Sequence, residues 1–212
     1  READNEMFNE GIVLCADICN TSETFTLKRE SRIKYISLLE VFGIDSLRAE
    51  TRMNEILELS ETAEKMDLPH WIVPHAVYSI SLPLFRLVKR HTVSNKISSI
   101  HFMESAEEGI LLESNSGSLM DSYKNFLPSV SELNLARNHI AAVTEEMSQS
   151  GNLILVHNTF ISQENIRALK SRPNLFWCLC PISNLQIEQK MPPVDLLDRE
   201  GCNIVIGTDS LS

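Results

Sequence analysis

The sequence predicts an α/β protein, specifically an incomplete (β/α)₈ TIM-type barrel in which strands 2–8 are present. Seven short apolar runs alternate with segments whose apolar residues recur at helical spacing, a pattern that is typical of βαβ units in a parallel sheet. Most of the runs are apolar throughout, as expected when both faces of a parallel sheet are covered. A complete barrel typically has ~250 residues, whereas this chain has 212. We therefore expect one partial barrel domain, residues 1–212, that begins after the first strand.

The elements follow from the position of the apolar runs and the spacing between them. The expected strands are Gly11–Ile18, Ile33–Val41, His70–His75, Ser98–Phe102, Leu153–His157, Leu175–Pro181 and Asn203–Thr208. The expected helices are Arg1–Glu10, Ser46–Lys65, Leu82–His91, Ser131–Gln149, Gln163–Lys170 and Val194–Arg199. A polar stretch at Glu113–Ser118 predicts an exposed loop.

Composition excludes several classes of protein. The net charge is −10, and the basic residues are scattered, so no basic stripe is present that could bind nucleic acid. No apolar stretch approaches the roughly 18 residues of a membrane span. The first residues are charged and do not form a secretory signal. These features favour a cytoplasmic protein with neither nucleic acid nor a membrane as a partner, and they leave a homo-oligomer open.

Polar residues stand where the apolar runs end. His75 ends the third run, His101 ends the fourth with Glu104 just beyond it, His157 ends the fifth, and Asp209 follows the last. Because the carboxyl ends of barrel strands meet at one face, we expect these side chains to form one site. Imidazoles and carboxylates without paired cysteines indicate a hydrolytic metal site.

Each of these residues also has a plain structural interpretation. A histidine after an apolar run is commonly a hydrogen-bonded core group, and Asp209 could cap a helix. His101 and Glu104 would lie on opposite faces of a continuing strand, so a shared site requires a turn near Met103. The coincidence of the residues at strand ends on one face favours the functional interpretation.

Five motifs occur in order along the chain. They are PHAVYSIS (Pro74–Ser81), IHFMES (Ile100–Ser105), LVHNT (Leu155–Thr159), CPISNLQI (Cys180–Ile187) and IGTDSLS (Ile206–Ser212). In order and spacing they resemble the signatures of the amidohydrolase superfamily. The branch they resemble most is that of aminohydrolases and chlorohydrolases, which includes cytosine, guanine and adenosine-type deaminases and triazine hydrolases.

The resemblance implies a barrel with one divalent metal ion, zinc or iron, that activates water for attack on an sp² carbon. It implies that His101 and Asp209 are metal ligands, that Glu104 is a proton shuttle and that Asp209 also accepts a proton. By the same motifs, His157 would hold the attacking water or the substrate. His75 would contact the substrate, and Ser183 and Asn184 would shape the rim of the pocket.

The resemblance leaves three functions open. The first is hydrolytic deamination of a small heterocycle or nucleoside-like compound, and the second is dechlorination or amide hydrolysis at the same site. The third is a non-catalytic barrel that serves as an interaction protein. The family also takes two metal ligands from an HxH motif on its first strand, and this chain has no such motif. This agrees with the missing strand, so we expect the chain alone to be inactive.

Overall fold

The computed structural model describes residues 1–127 and 133–209, which form parallel strands with helices packed against them. The strands are β1 (Leu14–Cys19), β2 (Lys34–Val41), β3 (His70–Pro74), β4 (Ile97–Phe102), β5 (Asn152–His157), β6 (Leu175–Leu179) and β7 (Ile204–Ile206). The helices are α1 (Glu2–Asn9), α2 (Phe25–Glu30), α3 (Ala49–Lys65), α4 (Leu82–His91), α5 (Ala106–Ser114), α6 (Gly117–Phe126), α7 (His139–Ala141), α8 (Gln163–Leu169), α9 (Pro181–Ile187) and α10 (Val194–Arg199). Short 3₁₀ turns at Ser46–Arg48 and Val77–Ser79 precede α3 and α4.

The strands follow one another in space in the order of the chain. β1, β2 and β3 form one parallel ladder, and β4 to β7 form a second. The two ladders meet just beyond β3, where Ala76 forms a parallel bridge with His101. At this junction the main-chain N–H of His101 donates a 2.8 Å hydrogen bond to the oxygen of His75. The predicted α/β fold, an incomplete parallel barrel, is therefore confirmed.

The core lies between the sheet and its helices. Leu153, Leu155 and Trp177 are buried, and they join Ile166 of α8 and Leu197 of α10 in one apolar cluster. Burial of apolar surface of this kind is the main favourable term in folding. The strand ends therefore project from a packed scaffold, which is the arrangement that can position a site accurately. Within the described residues, every helix is too short or too polar to cross a membrane.

The helix predicted over Ser131–Gln149 is wrong for most of its length. Residues 131–132 lie outside the described part of the chain, and the helical residues are His139–Ala141, continued by a π-helical turn at Ala142–Glu146. The main-chain oxygen of Asn134 instead accepts a hydrogen bond from Leu82. The helix begins only where the side chain of Asn138 accepts the N–H of Ala141, at 2.8 Å. Tertiary pairing and a helix cap thus override the helical spacing.

The exposed loop predicted at Glu113–Ser118 is also wrong in extent. α5 continues to Ser114, and α6 begins at Gly117, so only two residues separate the helices. Asn115 adopts left-handed backbone angles (φ 49°) and ends α5, as asparagine often does at this position. The carboxylate of Glu107 then accepts the N–H and the hydroxyl of Ser118, which stabilises the start of α6. The polar sequence therefore encodes a tight helix–helix turn.

Candidate active site

Four of the predicted site residues meet at the carboxyl ends of the strands. His75 follows β3, His101 lies near the end of β4, His157 ends β5, and Asp209 follows β7. The ring centroids of His75 and His101 are 4.8 Å apart, and those of His101 and His157 are 5.3 Å apart. The Nε2 atom of His157 lies 3.8 Å from Oδ2 of Asp209. Residues that are distant in sequence therefore form one cluster.

Left-handed backbone angles let the chain turn sharply at these strand ends. Met103 has φ 49°, His157 has φ 77°, Asn158 has φ 59° and Asp209 has φ 59°. Such angles are uncommon for residues other than glycine, and they concentrate at functional sites. The expected turn near Met103 is confirmed. It brings Glu104 back toward the histidines.

The carboxylate of Glu104 is held at both oxygens. The hydroxyl of Tyr78 donates a hydrogen bond to Oε1, and Oε2 lies 3.1 Å from Nε2 of His157. Burial, followed by the negative charge of Glu104, raises the pKa of Tyr78 well above its usual value, so Tyr78 stays protonated and remains a donor. Sequence reasoning did not identify Tyr78, although it lies in the same motif as His75.

The tautomer of His101 follows from its hydrogen bond. Its Nδ1 lies 2.9 Å from the main-chain oxygen of His75. A carbonyl oxygen can only accept, so Nδ1 carries a proton, and in the neutral ring Nε2 carries the lone pair. A metal-binding histidine usually has this arrangement, in which the second ring nitrogen donates to a carbonyl or carboxylate.

His75 is a neutral imidazole at neutral pH. Its Nδ1 lies 2.6 Å from the hydroxyl of Ser79. Burial, and then the proximity of His101 and His157, lowers the pKa of His75 to about 4. A neutral ring has a lone pair to offer to a metal ion or a substrate N–H.

Ser183 and Asn184 lie at the start of α9 and contact other site residues. The hydroxyl of Ser183 donates to Oδ2 of Asp209 at 2.6 Å. Nδ1 of His157 lies 3.2 Å from Oδ1 of Asn184, whose amide nitrogen donates to the hydroxyl of Thr159. Both side chains were predicted at the pocket rim. In the structure they are buried and orient Asp209 and His157.

Glu40 is a site residue that sequence reasoning missed. One ligand atom from each of Glu40, His75 and His101 lies within 4.8 Å of the others. Glu40 is buried, and its Oε1 has no hydrogen-bond partner in the described structure. Burial raises the pKa of Glu40, partly opposed by His101 and reinforced by Glu104 and Asp209. Its position in the apolar run of β2 was the available signal.

These residues suit a divalent metal ion. Burying a carboxylate oxygen without a donor is unfavourable, and a cation beside Glu40 would remove that cost. The neighbouring imidazoles of His75 and His101 offer nitrogen ligands, and nitrogen and oxygen ligands of this kind bind zinc and iron. Oε1 of Glu40 accepts no hydrogen bond among the described residues and lies 3.5 Å from Nδ1 of His101, which supports a donor set that matches such an ion.

Comparison with known proteins identifies relatives in sequence. The model of the Amidohydrolase family matches residues 5–212. The chain is 26% identical over 222 residues to a Helicobacter pylori protein named adenosine deaminase, with 100% of this chain and 52% of that protein covered. It is also 26% identical over 187 residues to the aminodeoxyfutalosine deaminase of a Nitratiruptor species, with 86% and 44% covered. The chain thus spans about half the length of these relatives.

Solved structures show the same fold. Helicobacter pylori aminofutalosine deaminase in complex with methylthio-coformycin matches with a TM-score of 0.79 at 24% identity, covering 98% of this chain and 51% of that one. Guanine deaminase from C. acetobutylicum matches with a TM-score of 0.67 at 17% identity, covering 98% and 49%. The zinc complex of the atrazine chlorohydrolase TrzN from Arthrobacter aurescens matches with a TM-score of 0.68 at 11% identity, covering 98% and 48%.

Proposed function

Because this chain belongs to the amidohydrolase family, we propose that the complete protein is a metal-dependent hydrolase that deaminates a small heterocycle or nucleoside-like compound. The observation that carries the proposal is the position of the Glu104 carboxylate. It lies between Tyr78 and His157, and the ring of His157 stacks 5.3 Å from that of His101. A carboxylate fixed beside histidines that can bind a metal ion is placed to act as a general acid and base in hydrolysis at that ion.

One zinc or iron ion is the proposed cofactor, with His101 and Asp209 as ligands. Nε2 of His101 is the atom available for binding, and the bond from Ser183 orients Asp209. Glu40 and His75 supply further negative charge and a further lone pair beside His101. When bound, such an ion lowers the pKa of a coordinated water to ~7 and polarises the group under attack.

The remaining roles follow from the hydrogen bonds at each side chain. Glu104 shuttles the proton from water to the leaving ammonia, because Tyr78 and His157 fix its carboxylate. His157 positions the attacking water or the substrate through Nε2, while Asn184 holds its Nδ1. Asp209 accepts a proton in addition to binding the metal ion, and His75 contacts the substrate as a neutral ring. Asn184 and Ser183 support the pocket from α9.

Deamination is favoured over dechlorination by the sequence relatives. Both proteins matched at 26% identity carry the name of a deaminase. The likeness to atrazine chlorohydrolase has 11% identity, which supports a common fold and leaves the reaction open. The leaving group is therefore the property to measure.

The test uses the product of the complete reading frame, loaded with zinc or iron. Ammonia release is measured with adenosine, adenine nucleosides altered at the 5′ position, guanine and cytosine, and chloride release is measured with a chlorotriazine. We expect metal-dependent ammonia release from at least one nucleoside-like compound. Chloride release without ammonia would establish dechlorination instead. A metal-loaded protein that releases neither product across the panel would support the non-catalytic interpretation.

A further inference from the structure

Glu108 is a completely buried carboxylate whose hydrogen bonds lead directly to the candidate proton shuttle. Its Oε1 accepts the main-chain N–H of Glu104 at 2.8 Å and that of Ser105 at 2.9 Å. Its Oε2 lies 2.9 Å from Nε2 of His139. A carboxylate oxygen accepts, so Nε2 of His139 carries the donated proton.

From this geometry we propose that Glu108 and His139 form a positioning pair, which fixes the main chain of Glu104 so that its carboxylate lies correctly for proton transfer. The inference rests on the proposed function, because it assigns Glu108 and His139 a purpose in the reaction of that site. Among the described residues, neither has a hydrogen bond, ion pair or ring contact with His75, His101 or His157. They influence the position of the Glu104 carboxylate only through the main-chain hydrogen bond from Glu104 to Glu108.

Helix capping is the competing explanation, and it accounts for only part of the contacts. Ser105 is the N-cap of α5, and Glu108 is its third residue, so the two form a capping box. From the carboxylate of Glu108, a capping box requires only the bond to the N–H of Ser105. The additional bond to Glu104 and the bond from His139 exceed that requirement.

Burial also separates the two explanations. Glu108 is 0% exposed and His139 is 6% exposed, whereas Glu107 on the same turn binds Ser118 at the exposed surface. Burying a charge is costly unless it is paired and hydrogen-bonded. A buried pair that binds the backbone of Glu104 limits the displacement of its carboxylate. Proton transfer needs this, because small displacements of a reacting group lower the rate by large factors.

His139 is itself held in place from two sides. Its ring packs edge-on against Phe102 at a centroid distance of 5.4 Å, and Phe102 is the last residue of β4. Asn138 caps the short helix α7 that begins at His139. The pair therefore links α5 and α7 to the end of the strand that carries His101.

The experiment compares single variants of the complete protein. Glu108→Leu removes every acceptor, Glu108→Gln keeps one acceptor oxygen, and His139→Phe keeps an aromatic ring but removes the donor. Ser105→Ala removes the other half of the capping box and leaves the Glu104 contact in place. Glu107→Gln is the matched surface control, since it removes a charge from the same turn of α5.

We expect kcat of Glu108→Leu to fall by about 10²-fold and that of His139→Phe to fall less, with KM changed by less than about threefold. Glu108→Gln should restore part of kcat. Hydrogen exchange of the Glu104 amide, measured on the folded protein, should accelerate in Glu108→Leu. Ser105→Ala should lower Tm without this loss of kcat, and Glu107→Gln should match the unmodified protein in kcat and in the exchange rate of the Glu104 amide.

Two results would overturn the positioning role. One is a kcat for Glu108→Leu no lower than that of Ser105→Ala, and the other is an unchanged exchange rate at Glu104. Failure of the proposed function is recognised separately, because the unmodified metal-loaded protein would then release no ammonia from any compound of the panel. If Glu108→Leu fails to fold, His139→Phe and the exchange rate of the Glu104 amide decide the question.

Discussion

The Nδ1 atom of His101 donates its proton to the main-chain oxygen of His75, and the same oxygen also accepts the N–H of His101. The pairing of β4 with the segment that follows β3 thus sets both the tautomer and the orientation of the candidate ligand. A shift of one residue in this register would turn the ring of His101 to the other face of the sheet. The candidate metal site and the junction between the two ladders are therefore one structural feature.

The first prediction separates metal binding from proton transfer. His101→Ala should lose metal and activity together, because Nε2 of His101 is a proposed ligand. Glu104→Gln should retain the metal and lose about 10²–10⁴-fold in turnover, because the amide keeps the shape but cannot shuttle a proton. Metal analysis and steady-state kinetics of both purified variants provide the measurement. Equal metal loss in the two variants would make Glu104 a ligand and contradict the division of roles.

The second prediction concerns the Oε1 atom of Glu40, which accepts no hydrogen bond among the described residues. Glu40→Gln should raise Tm of the metal-free protein, because it removes a buried negative charge whose Oε1 atom accepts no hydrogen bond among the described residues. The same variant should bind zinc more weakly, since one donor of the cluster is lost. Calorimetric titration with zinc and thermal unfolding in chelator check the two effects. A variant that is less stable without metal, with zinc affinity unchanged, would show that Glu40 has another role.

The sequence predicts the strands and the strand-end residues well because both depend on local pattern. His101, Glu104 and His157 follow apolar runs, and the parallel topology brings those run ends together. The local sequence pattern does not identify Glu40 or Glu108. Their importance comes from burial and from partners distant in sequence, and an acidic residue within a strand or a first helical turn has no distinctive local signal.

The third prediction concerns the pH dependence of stability at a surface cluster. Glu200 accepts hydrogen bonds from Lys170, Gln163 and Arg167, and these lower its pKa from 4.5 to about 2. The folded state therefore binds the proton more weakly than the unfolded state does. The contribution of Glu200 to stability is complete above about pH 4.5 and is lost as the pH falls to about 2.

Glu200→Gln should accordingly lower Tm at pH 7 and have little effect near pH 2. High salt should reduce the difference at pH 7, because exposed basic partners are screened. Glu164→Gln is the control, since it removes from α8 a charge for which the described residues offer no ion pair. Thermal unfolding across pH 2–7 is the measurement. A loss of Tm in Glu200→Gln that is constant over this range would contradict the prediction.

The last prediction concerns the chain of 212 residues by itself. Among the described residues, β1 pairs only with β2 and β7 only with β6, and both outer strands expose apolar side chains, with Leu14 58% and Ile206 77% exposed. Unpaired edges of this kind invite pairing with another chain. We expect the chain to self-associate in sedimentation experiments, and Leu14→Lys should reduce this association.

With added zinc or iron, the chain of 212 residues should show no turnover, because the family resemblance implies two further ligands from an HxH motif that this sequence lacks. Metal-dependent turnover by this chain alone would refute both the count of barrel strands and the assignment of the missing ligands.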